Sequence, residues 1–206
     1  MDVITELVNI FDKEKFQKEV ENTIGKAAKA DKIASRTAKH ISEKMDEDPA
    51  FYKKFSQMLK DTISEYEAHR MSEVQYLNKV QEIMDKVLSH TDSDVPEQLK
   101  DLEVAKAYYG LCFEILTDKI SDSVVAREIS KNAALNIDRL IKNAIFENDK
   151  LIIDWQTKTN ITGKLLIEVG DYFIDEVRDK YDIELSFAEL DQIAGECIEV
   201  SKIRYK

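Results

Sequence analysis

Five glycines and two prolines in 206 residues give this chain few points at which a helix must stop, and that scarcity constrains the fold more than any other feature. Lys, Glu, Ala, Leu and Ile, which suit helices, fill long uninterrupted runs. The expectation is an all-α fold: a multi-helix bundle of antiparallel helical hairpins with almost no sheet. A chain of this length also buries enough surface to form its own core, in one domain or two small ones.

Hydrophobic periodicity places the helices. SEKMDEDPAFYKKFSQMLKDTISEY leads with acidic residues into Pro49, suited to a first helical turn, and then repeats Phe51, Phe55, Met58, Leu59, Ile63 and Tyr66 at spacings of three and four. SEVQYLNKVQEIMDKVL opens with Ser72 and Gln75 in capping-box positions and carries Leu77, Val80, Met84, Val87 and Leu88 on one stripe. Together they predict an antiparallel hairpin turning near Arg70 and Met71. Ser, Asp and Pro gather in SHTDSDVPEQ, residues 89–98, the best linker between an N-terminal helical half (1–90) and a C-terminal one (91–206), packed together as one compact domain. Beyond it, DLEVAKAYYGLCFEIL is helical, and a stripe of Ile129, Ala133, Ile137, Leu140, Ile141 and Ala144 follows. Asn160 is placed to cap a helix carrying Leu166, Val169, Phe173 and Val177. Ser186 with Glu189 caps a last one carrying Phe187, Leu190, Ala194, Cys197 and Ile198.

The formal net charge of -11 opposes approach to polyphosphate unless the cations are segregated on one surface, which disfavours stand-alone nucleic-acid binding. Cys112 and Cys197 stand far apart, each inside an apolar helical pattern, and imply neither a C-x-x-C pair nor a disulfide framework; a reducing cytoplasm fits. No run reaches the length of a membrane span, and the N-terminus lacks the order of a signal peptide.

Catalytic signatures are missing. Neither Gly25-Lys26 nor Gly163-Lys164 has the upstream Gly and following Ser/Thr of a phosphate-binding loop. Thr37, Tyr66 and Val87 stand three before His40, His69 and His90, where a bundle metal site requires Glu. Glu65 and His69 can meet across one helical turn as a surface pair. Asp92, Asp94 and Glu103 match three positions of a calcium hand, but Glu97 occupies the place of its turning Gly and Pro96 that of a ligand. The expectation is no cofactor, no metal and no catalytic residue.

Two features stand apart. In GKAAKADKIASRTAKHISEKM, the residues Ala27, Ala30, Ala34, Ala38, Ile41 and Met45 share one arc of a helical wheel, while Lys26, Lys29, Lys32, Arg36, Lys39 and Lys44 gather opposite. That face is either a solvated exterior or a contact for phosphate or an acidic partner. The only tryptophan, Trp155, lies in LIIDW, read as an extended connector. It either packs against Ile152 or Ile153 and the helix near Asn160 as a structural anchor, or serves as an interface hot spot.

The stretches DEDPAFYKKFSQMLKDTISEY, RMSEVQYLNKVQEI, AKAYYGLCFEIL and IIDWQTKTNITGKLLIEVGDYFIDEV resemble the C-terminal helical region of the restriction subunit of type I restriction-modification enzymes, over nearly the whole chain. One departure is QTKTN, where the family pattern leads to the expectation of an acidic or Pro-bearing turn after the Trp. The resemblance implies that the complete subunit is an ATP-dependent type I site-specific deoxyribonuclease, with nuclease and DNA-translocating motor domains upstream. This helical region would then be a non-catalytic fragment docking that motor to the methyltransferase and specificity subunits in the cytoplasm. The rival expectation is a DNA-contacting helical element acting through residues 26–44, weak at best alone; a third is a helical enzyme of unrecognised type.

Overall fold

A computed structural model describes residues 13–206. It is an all-α bundle, and among the described residues the only strands are two paired dipeptides, Phe146–Glu147 (β1) and Lys150–Leu151 (β2). The residues fall into two compact units. One takes in residues through Met45 together with Tyr52–Asp92, and the other Asp46–Phe51 together with Ser93–Lys206. The break between halves therefore lies at Asp92–Ser93, and the short segment Asp46–Phe51 counts with the C-terminal unit, which the linear order of the chain does not announce.

In the N-terminal unit, α1 (Lys13–Glu21) leads into α2 (Lys26–Lys44), and α3 (Pro49–Glu67) is followed by α4 (Glu73–Ser89). Gly25 turns the chain between α1 and α2 at φ 92, a conformation that side chains with a Cβ rarely adopt. Pro49 is the first residue of α3. The α3–α4 hairpin is held by parallel stacking of Tyr66 on Tyr76 at 4.3 Å between centroids and by a Lys79–Glu65 ion pair at 2.9 Å. Ser72 and Gln75 form the complete reciprocal capping box on α4, an arrangement whose loss costs about 1 kcal/mol. His90 closes α4 at φ 48, its N–H donating to the carbonyls of Lys86 and Val87. The buried face of α4 is Tyr76, Val80, Ile83, Met84 and Val87. Tyr76 reaches α2, donating from its phenol to Asp31 Oδ1 at 3.0 Å.

The C-terminal unit is built around α5 (Glu103–Lys119), which packs on α6 (Ser123–Ile145) and on α9 (Phe187–Arg204). Burial runs almost all round α5: Ala105, Ala107, Tyr108, Tyr109, Leu111, Cys112 and Leu116 are all covered, as expected of a central helix. Asp122 caps α6 by accepting from the N–H groups of Val124 at 2.8 Å and Val125 at 3.3 Å. Between α6 and α7 (Thr159–Tyr172) comes the β1–β2 hairpin, turned by Asn148 and Asp149 at φ 50 and 59, left-handed values that Asn and Asp tolerate best after Gly. From α7 the chain continues through a π-helical segment, Phe173–Arg178, to the single turn α8 (Asp179–Tyr181). The π segment keeps Phe173 and Val177 in the core.

Four residues depart from the periodicity and capping reading. Met58, Leu166 and Phe187 are exposed at 36%, 41% and 83%, while Thr62 and Leu165 are buried instead. Asn160 does not cap α7: the helix begins at Thr159 with Lys158 before it and no side-chain cap. Each shift is by one or a few positions, within the width of a helical stripe.

The cap of α9 is also an electrostatic junction. Ser186 and Glu189 form a capping box, and Lys119, the last residue of α5, pairs with the same carboxylate at 2.8 Å. The Lys119 ammonium and the donors of Ser186 hold the Glu189 carboxyl down at about 2. Because the folded value lies below the unfolded one, near 4.3, the stabilisation is fully present above the unfolded value and disappears as pH falls through about 2. Carbon-detected NMR titration should find this low midpoint, and Lys119→Met should raise it; an ordinary glutamate titration in wild type would contradict the junction.

Candidate functional site

The basic helix α2 is real but is not a free cationic surface. Its buried residues are Ala30, Ile33, Ala34, Thr37, His40 and Ile41, so the packed face is rotated from the Ala27–Ala38 arc and Ala38 is exposed. The larger side chains of Ile33 and His40 decide the rotation, and Thr37 is buried at no polar cost because its hydroxyl donates to the Ile33 carbonyl at 2.9 Å.

Opposite that face, Glu19 of α1 collects two of the cations: Lys32 Nζ at 3.0 Å and Arg36 NH2 at 3.8 Å, both on Oε1. Lys39 pairs with Glu43 one turn on at 3.6 Å. Lys44 is engaged as well. Of the six, only Lys26 and Lys29 are left without a partner among the described residues, and Lys26 is exposed while Lys29 is half-buried. Six cations in the sequence thus reduce to two adjacent ones available to an anion. The carboxylates that neutralise the rest lie on α1 and within α2 itself.

Trp155 is fully buried. It opens a short 3-10 turn, Trp155–Thr157, that follows the hairpin, with Asp154 before it at φ 53; LIIDW is therefore a folded corner, not an extended connector. The indole N–H donates to the carbonyl of Tyr205 at 3.1 Å, and Gln156 Nε2 donates to the same oxygen at 2.9 Å. That carbonyl lies just past the end of α9, so the corner is tied to the last turn of the final helix. Ile152 is half-buried, whereas Ile153 is 80% exposed and does not pack on the indole. Around this corner, Phe146 meets Tyr205 edge-on at 5.8 Å, and the Tyr205 phenol donates to Asp138 Oδ1 at 3.3 Å. Arg204 reaches Glu47 at 3.0 Å and Glu103 at 3.7 Å. Sequence spacing gives no hint of Tyr205 as the partner, because it lies fifty residues downstream.

Comparisons with protein-family models, curated proteins and solved structures find no match.

The remaining chemistry-bearing groups are occupied in packing. Cys112 and Cys197 are brought together from α5 and α9 in the core as free thiols. Burial pushes the Cys197 thiol well up, and its hydrogen bond with Cys112 adds to the effect, the reverse of what a nucleophilic cysteine needs. Tyr108 lies beside Ser201 at 2.6 Å. Ser201 spends its proton on the Cys197 carbonyl at 2.6 Å, so Tyr108 is the donor of the pair; burial raises its phenol, with the Ser201 contact acting the other way.

Among the described residues no group of three or more His, Cys, Asp or Glu is placed to hold a metal. Asp92 pairs with Lys54 at 2.6 Å and Asp94 with Arg127 at 3.2 Å, so the calcium-hand spacing is used for ion pairs. Glu65 turns to Lys79 and not to His69. No described helix is long and apolar enough to cross a membrane.

Proposed function

We propose that this chain is a non-catalytic docking module from the restriction subunit of a type I restriction-modification enzyme, tethering an ATP-driven DNA-translocating motor and nuclease to the methyltransferase and specificity subunits in the cytoplasm. The observation that carries the reading is the resemblance of four stretches distributed over nearly the whole chain. Two aspects of the fold agree with a scaffolding role. Tyr108, Leu111, Cys112 and Leu116 of the third stretch line the core, and Trp155 of the fourth locks a corner onto the end of α9. The third and fourth stretches thus contribute to the framework of the C-terminal unit.

The rival reading, DNA contact through α2, is less well supported, because Lys32 and Arg36 are engaged by Glu19 and Lys39 by Glu43. With two cations left in a chain of net charge -11, any duplex affinity should be weak, and its salt dependence shallow, because the slope scales with the number of phosphates neutralised.

Co-purification with a methyltransferase–specificity complex encoded beside the gene tests the proposal. Stable association is the expected result, and no association at micromolar concentrations would overturn it. In the same assay, Lys26→Glu with Lys29→Glu should leave assembly intact; duplex binding that disappears in this variant while assembly fails in wild type would favour the DNA reading.

A further inference from the structure

Helix α7 carries a second apolar stripe that the described residues leave open. Its inner face is Leu165 and Val169, both fully buried. On the opposite side Gly163, Leu166, Ile167 and Gly170 follow one another at helical spacings of three, one and three. Leu166 is 41% and Ile167 65% exposed, and a Cβ added at Gly163 or Gly170 would meet no atom within 4 Å. Glycine inside a helix costs about 1 kcal/mol relative to alanine, and no packing among the described residues requires either one. Gly195 in α9 is open too, but it shares its face with exposed Asp191, Gln192 and Glu199 and makes no apolar stripe.

We infer that this face of α7 is a self-association surface, on which α7 of a second copy lies antiparallel across Gly163, Leu166, Ile167 and Gly170. The charges choose the partner and its direction. Lys164 and Asp171 are exposed and lie two turns apart on the same flank of the stripe; Lys164 also meets Glu168 of its own helix at 3.3 Å, a surface pair that holds it only loosely. A two-fold axis near Ile167 brings like flanks together, so each Lys164 faces the Asp171 of the other copy. A parallel pair would set that charged flank against the side of Leu166 and Thr162. Each Ile167 crosses near its symmetry mate, while the glycines let the two backbones approach at either end. One helix on one helix is a small contact beside interfaces of about 1,200–2,000 Å2, so the dimer forms and dissociates with concentration.

Sedimentation equilibrium on the complete chain, up to about 1 mM, tests this. Concentration-dependent dimerisation is expected. Ile167→Glu should weaken it at least about tenfold with an unchanged circular dichroism spectrum and Tm. Lys164→Asp should weaken it as well, and Lys164→Asp combined with Asp171→Lys should restore it, which a generally sticky surface would not do. A monomer throughout that range, a dimer indifferent to Ile167→Glu, or a charge swap without rescue would each overturn the inference.

Discussion

Replacing Trp155 with alanine should destabilise the C-terminal unit by about 3–5 kcal/mol, the usual cost of emptying a fully buried aromatic site. The hydrogen bond contributes little of this. Gln156 also donates to the Tyr205 carbonyl, at 2.9 Å, so removing the indole N–H leaves that oxygen satisfied, and the cost is dominated by the cavity and by lost contact between the corner and α9. Trp155→Phe isolates the difference. It keeps one ring in the site, losing the donor and the part of the indole that a phenyl ring does not fill, so it should cost less than the alanine variant. Urea unfolding followed by far-UV circular dichroism is the appropriate measurement, because Trp155 is the only tryptophan and its fluorescence vanishes with it. An alanine variant as stable as wild type, with partner binding weakened by about 2 kcal/mol or more, would identify an interface hot spot instead.

Local signals place the helices, because capping and periodicity act between residues a few positions apart. Pro49 starts its helix, and the Ser72–Gln75 and Ser186–Glu189 boxes form as the spacing predicts. What the sequence could not give are the choices made between distant segments. Leu165 and Leu166 are equally apolar neighbours, and only the position of the rest of the unit decides that Leu165 is buried and Leu166 left outside. The basic face of α2 illustrates the same limit for function: a helical wheel shows six cations but not Glu19, which approaches from α1 and takes two of them. For Trp155 the type of residue signalled importance, while its acceptor, the Tyr205 carbonyl, carries no signature in the sequence, since every residue has one.

Gly110→Val should cost about 3 kcal/mol, the upper part of the overpacking range, by prising Asp46–Phe51 from α5. Gly110 is a glycine in the interior of a central helix, where alanine would ordinarily be preferred by about 1 kcal/mol. Here a Cβ would stand 2.7 Å from the Ala50 Cβ, against the roughly 3.5–4.0 Å at which carbons attract. Ala50 cannot simply swing aside. It sits in the first turn of α3 behind Pro49, in the segment that Arg204 ties to the C-terminal unit through Glu47 at 3.0 Å. Gly110→Ala should therefore destabilise despite its better helix propensity, and Ala50→Gly should relieve it, since Ala50 Cα is 4.0 Å from the new Cβ, an ordinary contact. The two substitutions touch at one pair of atoms, so a double-mutant cycle in urea should show strong coupling. If Gly110→Ala were neutral or stabilising, or Ala50→Gly failed to rescue it, the close approach of Ala50 to α5 would not be what requires glycine at this position.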